Sequence, residues 1–219
     1  MRELDKMIAL SIKKDQTAIS ELLMFQIEKI NRLAGFSIIK EEISNGIKVK
    51  MLEVCLKMDF EEKSLIPFCI VPSIKGSVSN FFSCIAESFL SEEVFVEDHK
   101  LDKFVPVSTK NFIIKDVFAP KFANTNLRSM KKDLSYYKNF PITFEEFVAL
   151  QYIFEDFIKA EAGLVPFFES WRPNSFSEAQ IIFEYLVYNK NEREISLFWR
   201  DSYIQNESLQ VFFRNRINL

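Results

Sequence analysis

The scarcity of glycine is the feature that most constrains what this chain can become. It contains 4 glycines among 219 residues, where average usage near 7% would give about 15. Phosphate-binding loops, nucleophile elbows and dinucleotide-binding turns need glycine where the backbone approaches a ligand or takes a positive φ. The glycines stand far apart, at Gly35, Gly46, Gly76 and Gly163. No glycine-rich catalytic or nucleotide-binding loop is therefore expected.

The remaining composition is that of a folded globular protein. Hydrophobic residues make up 48% and charged residues 27%, which excludes a disordered tail or a fibrous rod. The sequence has no run of 18 uncharged apolar residues, so we expect a cytoplasmic protein without membrane insertion. Cys55, Cys69 and Cys84 have spacings that suit neither a disulfide framework nor a zinc site. They are predicted to be buried free thiols.

Apolar periodicity in the first 118 residues predicts helices packed on a small sheet. Residues 17–34 have apolar side chains mostly three and four positions apart, which predicts an amphipathic helix ending at Gly35. Asn45-Gly46 predicts a tight hairpin turn, followed by strand residues up to 60 with one β-bulge near residues 51 and 52. Further elements are predicted as strands at 65–71, 94–96, 104–107 and 112–118 and as a helix at 77–90.

Two capping boxes predict helices in the C-terminal half. Thr143 with Glu146 begins a helix that should run to about residue 162, and Ser177 with Gln180 begins one over 178–189. Two short helices are predicted within 195–217.

The predicted fold class is α+β. A small antiparallel or mixed sheet with packed helices forms the N-terminal half, and the C-terminal half is mainly α-helical. We expect an α+β domain over 1–124, and a helical domain or a helical extension of the same core over 125–219.

Charge is distributed unevenly along the chain. Residues 100–140 carry nine basic and three acidic side chains, whereas residues 141–194 carry four basic and ten acidic ones. The two segments could complement each other within the fold or across an oligomer, or the basic segment could bind a protein or a nucleic acid. The candidate contacts to nucleic acid or to an acidic partner are Lys115, Lys121, Arg128, Lys131 and Lys132.

Groups that could carry catalysis are few. His99 is the only histidine, which excludes sites that need two imidazoles. Asp59, Glu61 and Lys63 are the residue types of a metal-dependent nuclease, but they stand in a predicted polar turn where such an enzyme would use strands. We assign no catalytic residue, cofactor or metal ligand.

Two functional hypotheses follow. The first is a non-catalytic protein-interaction subunit, a structural, adaptor or immunity-type component of a larger bacterial or phage assembly. It rests on the 24 phenylalanines, because aromatic residues are enriched at interface centres; the same side chains could instead pack the core. The alternative is a nucleic-acid-binding protein or nuclease that uses residues 100–140. The candidate interface residues are Phe167, Phe168, Trp171, Phe198, Trp199, Phe212 and Phe213.

Overall fold

The computed structural model divides the chain into two compact units. It describes residues 3–76, 81, 84, 94–96, 110–119, 140–154, 164–167, 180–187, 193–200 and 212–217. The first unit comprises Met1–Gly76, Val107–Phe118 and Arg214–Leu219, and the second comprises Ser77–Pro106 and Ala119–Phe213. The predicted boundary between residues 124 and 125 lies outside the described residues and stays a prediction.

Three helices form the N-terminal part of the first unit. They are α1 (Glu3–Ile12), α2 (Gln16–Ala34) and α3 (Asn45–Lys57). The Asp15 carboxylate accepts the Ala18 N–H at 2.9 Å, which satisfies one of the free donors at the start of α2. Helix α2 ends at Gly35, as predicted, and its apolar stripe, including Ile19, Leu22, Leu23 and Ile30, is buried.

Helix α3 occupies the segment for which a hairpin and strands were predicted, so that prediction is wrong. Ser44 is its N-cap, and Asn45-Gly46 opens the helix rather than a turn. The change in apolar parity near residue 51 reflects a helical repeat, because Met51 and Cys55 are four residues apart and both are buried. Leucine, methionine, lysine and glutamate in this segment are also good helix formers.

A small sheet packs with these helices. It contains β1 (Ile66–Val71), β3 (Phe112–Phe118) and β8 (Phe213–Ile217), in the order β1-β3-β8. Strands β1 and β3 are antiparallel, with Ile66 opposite Val117 and Val71 opposite Phe112. The strands predicted over 65–71 and 112–118 are confirmed. The third strand comes from the C-terminal end of the chain, where short helices had been predicted.

A side chain from α2 closes the outer edge of β1. Gln26 is fully buried, and its amide oxygen accepts the Ile70 N–H at 2.8 Å while its amide nitrogen donates to the Phe68 carbonyl at 3.2 Å. The side-chain amide thus takes the place of a neighbouring strand's peptide group. It satisfies two backbone groups that would otherwise be buried without a partner.

The second unit contains a helix and a mixed sheet. Helix α4 spans Phe144–Ile153 and follows the short strand β4 (Phe140–Pro141). The sheet has the order β2-β7-β6-β5, with β2 and β7 parallel and the other two pairs antiparallel. Its strands are β2 (Val94–Val96), β5 (Leu164–Phe167), β6 (Gln180–Val187) and β7 (Arg193–Arg200).

The first capping box is confirmed. Glu146 N–H donates to Thr143 Oγ1 at 3.2 Å, and Glu146 Oε2 accepts the Thr143 N–H at 2.9 Å. Helix α4 is shorter than predicted, since its C-cap is Phe154 rather than a residue near 162.

The second capping box does not begin a helix, and the predicted helix over 178–189 is wrong. Gln180 instead opens β6, which pairs along its whole length with β7 from Gln180↔Arg200 to Val187↔Arg193. This segment is rich in isoleucine, phenylalanine, tyrosine and valine. These residues favour a strand when a second strand is available to pair with it. The short helices predicted over 195–217 are likewise replaced by β7 and β8 where the structure describes that range.

The α+β class predicted from the sequence is confirmed. Within the described part of the C-terminal half, α4 is accompanied by strands β5 to β8. The predicted strand 104–107 lies outside the described residues, as does most of the helix predicted over 77–90. Among the helices that the structure describes, none is both long enough and apolar enough to cross a membrane.

Candidate functional site

A buried carboxylate organises the polar cluster of the first unit. Asp116, on β3, is fully buried. Its Oδ1 accepts the Glu61 N–H at 2.9 Å and the Ser64 hydroxyl at 3.1 Å, and its Oδ2 accepts from Asn215 Nδ2 at 3.4 Å. Lys115 Nζ lies 3.1 Å from the same Oδ2. These partners satisfy a charge that would be costly to bury alone, and they tie the 59–64 turn and β8 to β3.

The backbone explains why an aspartate stands at this position. Asp116 has a φ of 54°, a left-handed conformation that aspartate adopts more readily than most residues. The register between β1 and β3 places Asp116 opposite Pro67, which has no N–H to donate to the ladder. The Asp116 carboxylate accepts hydrogen bonds from the 59–64 turn and from Asn215 on β8.

Two lysines fix the exposed Asp59 beside this cluster. Lys14 Nζ hydrogen-bonds and pairs with the Asp59 carboxylate, and Lys115 Nζ donates to the Asp59 carbonyl at 2.8 Å. The hydrogen bond from Lys14 and its positive charge, with a smaller contribution from Lys115, lower the pKa of Asp59. The positive charges of the two lysines and the negative charge of Asp59 therefore compensate each other and hold the 59–64 turn in place.

The residues considered for a nuclease are engaged in separate ion pairs, Asp59 with Lys14 and Glu61 with Lys63. Glu61 and Lys63 have exposed side chains that pair with each other at 2.9 Å, and Lys63 Nζ also lies 4.3 Å from the centre of the Phe118 ring. Glu61 contributes its backbone N–H to Asp116, and its carboxylate points away. Across the described ranges, no group of three or more potential metal-ligating side chains is found. The arrangement offers this alternative no support.

Lys115 is the predicted nucleic-acid contact that the structure describes. Its ammonium group is engaged by Asp59 and Asp116, so it stabilises the cluster. Lys121, Arg128, Lys131 and Lys132 lie outside the described residues and stay predictions.

The predicted interface aromatics fall into three groups. Phe212 and Phe213 are 2% and 0% exposed, so their side chains belong to the core and are unavailable as exposed anchors. Phe167 lies on β5, and Phe198 and Trp199 lie on β7. Phe168 and Trp171 lie outside the described residues.

The cysteines of the first unit behave as structural residues. Cys55 and Cys69 are buried thiols outside any disulfide, as predicted, whereas Cys84, in the second unit, is half-buried, so the prediction of burial is wrong there. Burial raises the pKa of Cys55 to about 12, so its thiol stays protonated and unreactive at neutral pH.

The outer face of α3 carries an apolar stripe that the fold of the first unit leaves in contact with solvent. We define the α3 stripe as Val49, Leu52 and Leu56, whose spacing of three and four residues places them on one side of the helix. Val49 is 56% exposed and Leu56 is 38% exposed, whereas Leu52 is half-buried. The apolar face of α3 thus extends from the buried Met51 and Cys55 to this exposed rim.

Helix α3 carries more basic than acidic side chains. Helix α3 contains three lysines, Lys48, Lys50 and Lys57, and one acid, Glu53. Lys50 and Lys57 are exposed and seven residues apart, so they share one side of the helix, and Glu53, four residues after Val49, lies between them and the stripe. The surface offered by α3 is consequently apolar along its centre and positively charged overall.

Sequence reasoning missed the α3 stripe because residues 47–60 were interpreted as strands. The spacing of Val49, Leu52 and Leu56 was the signal that could have revealed it, since it repeats at the helical period and not at the period of two that a strand requires.

Comparison with known proteins identified no relative of this chain. No family model matches the chain, and no match was found among curated proteins or among solved structures.

Proposed function

We propose that this chain is a non-catalytic protein-interaction subunit, a structural, adaptor or immunity-type component of a larger cytoplasmic assembly of bacterial or phage origin. The observation that carries the proposal is the α3 stripe. A surface helix normally turns its apolar face to the core and a polar face to water, but the apolar face of α3 extends beyond the buried Met51 and Cys55 to a side where Val49 and Leu56 stay exposed. A partner protein would remove that side from water.

The polar cluster around Asp116 supports the same proposal. Its charged and hydrogen-bonding groups are occupied with each other and with the backbone of the 59–64 turn. A catalytic centre needs groups directed at a substrate, whereas these groups hold β3, β8 and the turn together.

The test is affinity purification of the tagged chain from its native host, with the co-purifying protein identified and its affinity measured. The double variant Val49→Ser/Leu56→Ser should weaken binding by about 2 kcal/mol or more, as loss of interface anchors does. Leu65→Ser is the matched control, because Leu65 is 49% exposed but lies outside α3. It should leave binding unchanged.

A second set of variants tests the absence of chemistry. Glu61→Ala, His99→Ala and Cys84→Ala should leave function in the host intact. Loss of function in any of them, at wild-type stability and with the partner still bound, would contradict the proposal.

A further inference from the structure

We infer that Asn45, at the start of α3, is a site of spontaneous covalent modification, in which its side-chain amide is lost and aspartate or isoaspartate remains. The inference is independent of the proposed function. It follows from the residue that comes after Asn45, from the exposure of both residues and from the weak start of α3.

The reaction needs a flexible residue after the asparagine. The Gly46 backbone nitrogen attacks Asn45 Cγ, so a new C–N bond forms while the bond from Cγ to Nδ2 breaks, and Nδ2 leaves as ammonia with the Gly46 amide proton. Water then opens the five-membered imide at one of its two carbonyl carbons, which gives aspartate or isoaspartate with no oxidation or reduction. Gly46 favours the attack because it has no Cβ and its backbone turns freely. No other asparagine in the sequence precedes a glycine.

The structure leaves the Asn45-Gly46 peptide open. Ser44, Asn45 and Gly46 are all exposed, and a Cβ built on Gly46 would meet no heavy atom within 4 Å. The first four N–H groups of a helix have no partner within the helix. The Gly46 nitrogen lies in the first turn of α3, so the helical hydrogen bonds do not hold it.

Asn45 differs from the other asparagines that the structure describes. Asn31 and Asn111 accept backbone N–H groups at 2.8 and 2.7 Å, and Asn215 donates to Asp116 at 3.4 Å. Within the described ranges, no hydrogen bond holds the side chain of Asn45. Its amide group is therefore free to turn toward the Gly46 nitrogen.

The start of α3 is less firmly fixed than the starts of α2 and α4. Its N-cap, Ser44, forms no side-chain cap hydrogen bond, whereas Asp15 and Thr143 each accept a backbone N–H of the helix they begin. Attack on Cγ requires Asn45 to leave its helical conformation. Opening of a terminal turn is among the least costly local motions of a folded chain, and the missing cap bond lowers its cost further.

The two products change the start of α3 in opposite directions. Aspartate places a carboxylate in a first turn that contains no acid, where the positive end of the helix dipole stabilises it. Isoaspartate adds a methylene group to the backbone, which disrupts the spacing that helical hydrogen bonds need. The modification thus converts one population of chains into two that differ in the stability of α3.

Mass spectrometry of the full chain tests the reaction. The protein is incubated at mildly alkaline pH, acidified and digested with a protease that cleaves after lysine, which separates Asn45 in peptide 41–48 from Asn31 in peptide 30–40. We expect aspartate and isoaspartate forms of peptide 41–48 to accumulate while peptide 30–40 stays unchanged. Gly46→Ala should slow the change about fivefold or more, because alanine favours the helix and makes opening of its first turn rarer.

Several outcomes would overturn the inference. If peptide 41–48 changes no faster than peptide 30–40, or changes only when the chain is unfolded in urea, Asn45 is not modified in the folded protein. An equal rate in Gly46→Ala, or aspartate formed without isoaspartate, would show that the Gly46 nitrogen does not attack. Asn45→Asp should also raise the denaturation midpoint, and a lower midpoint would contradict the expected effect of the aspartate product on α3.

Discussion

Helices α2 and α3 belong to the same unit and contain similar apolar residue types, yet they use them in opposite ways. Helix α2 buries eight of its residues, including the polar Gln26 that completes the edge of β1. Helix α3 buries two, Met51 and Cys55, and leaves Val49 and Leu56 exposed. The fold accounts for the apolar residues of α2 and does not account for those of the α3 stripe.

This difference separates residues that specify the fold from residues available for recognition. Burial of a leucine side chain contributes about 1.5–3 kcal/mol to folding, so the apolar side of α2 needs no further role. The α3 stripe gains little of that free energy while it remains in water. An exposed apolar surface favours association. Burial of the α3 stripe against a partner would therefore contribute to the free energy of binding.

The largest expected effect comes from making the same substitution in both helices. Leu22→Ala on α2 removes a fully buried side chain and should lower the free energy of unfolding by about 2–5 kcal/mol. Leu56→Ala on α3 should lower it by less than about 1 kcal/mol, because the side chain is 38% exposed. Urea denaturation of the two variants measures both values. Equal losses of unfolding free energy in the two variants would show that the α3 stripe is part of the core. Helices α2 and α3 would then not differ in how they use their apolar residues.

An intermediate effect is expected at the edge of β1. Gln26→Ala should leave the Ile70 N–H and the Phe68 carbonyl without their partners, and each buried group left unsatisfied costs about 1–3 kcal/mol. We expect a loss of about 2 kcal/mol or more in the free energy of unfolding, with faster hydrogen exchange at Ile70. Glu28→Ala, an exposed substitution one half-turn away on α2, is the control. Unchanged exchange at Ile70 would mean that Gln26 does not protect this edge.

The elements that could be predicted from the sequence are those whose signals are local or redundant. Helix α2 has a long apolar stripe and a stop at Gly35, and α4 has its capping box at Thr143. Strand β1 is apolar on both faces and β3 is apolar except at Lys115 and Asp116, and both runs are too short to be helices. In each case the residues of the segment itself determine its conformation.

The elements that were missed depend on distant partners or on ambiguous spacing. The capping-box pattern at Ser177 and Gln180 favours a helix locally, but pairing with β7 supplies β6 with backbone hydrogen bonds that no local pattern reveals. In α3, lysines that alternate with Ile47, Val49 and Met51 imitate a strand. Since the helix was not predicted, its outer face was not either. Asp116 could not be recognised as the centre of a cluster, because its partners Glu61, Ser64 and Asn215 are 52 to 99 residues away in the chain.

The smallest expected effect compares the two glycines that end α2 and begin α3. Gly46 lies within the first turn of α3, and a Cβ added there would meet no heavy atom within 4 Å. Gly46→Ala should therefore raise the free energy of unfolding by about 0.5–1 kcal/mol, because alanine loses less backbone entropy than glycine in a helix. Gly35 also has a helical backbone, with a φ of −60°, but a Cβ there would lie 3.3 Å from the Arg32 carbonyl oxygen. That close approach should cancel the entropic gain, so Gly35→Ala should be neutral or destabilising. Denaturation midpoints of the two variants, measured under identical conditions, test this difference. A stabilised Gly35→Ala variant with an unchanged Gly46→Ala variant would show that α3 does not begin at Asn45. The position of the α3 stripe on the helix would then have to be reassigned.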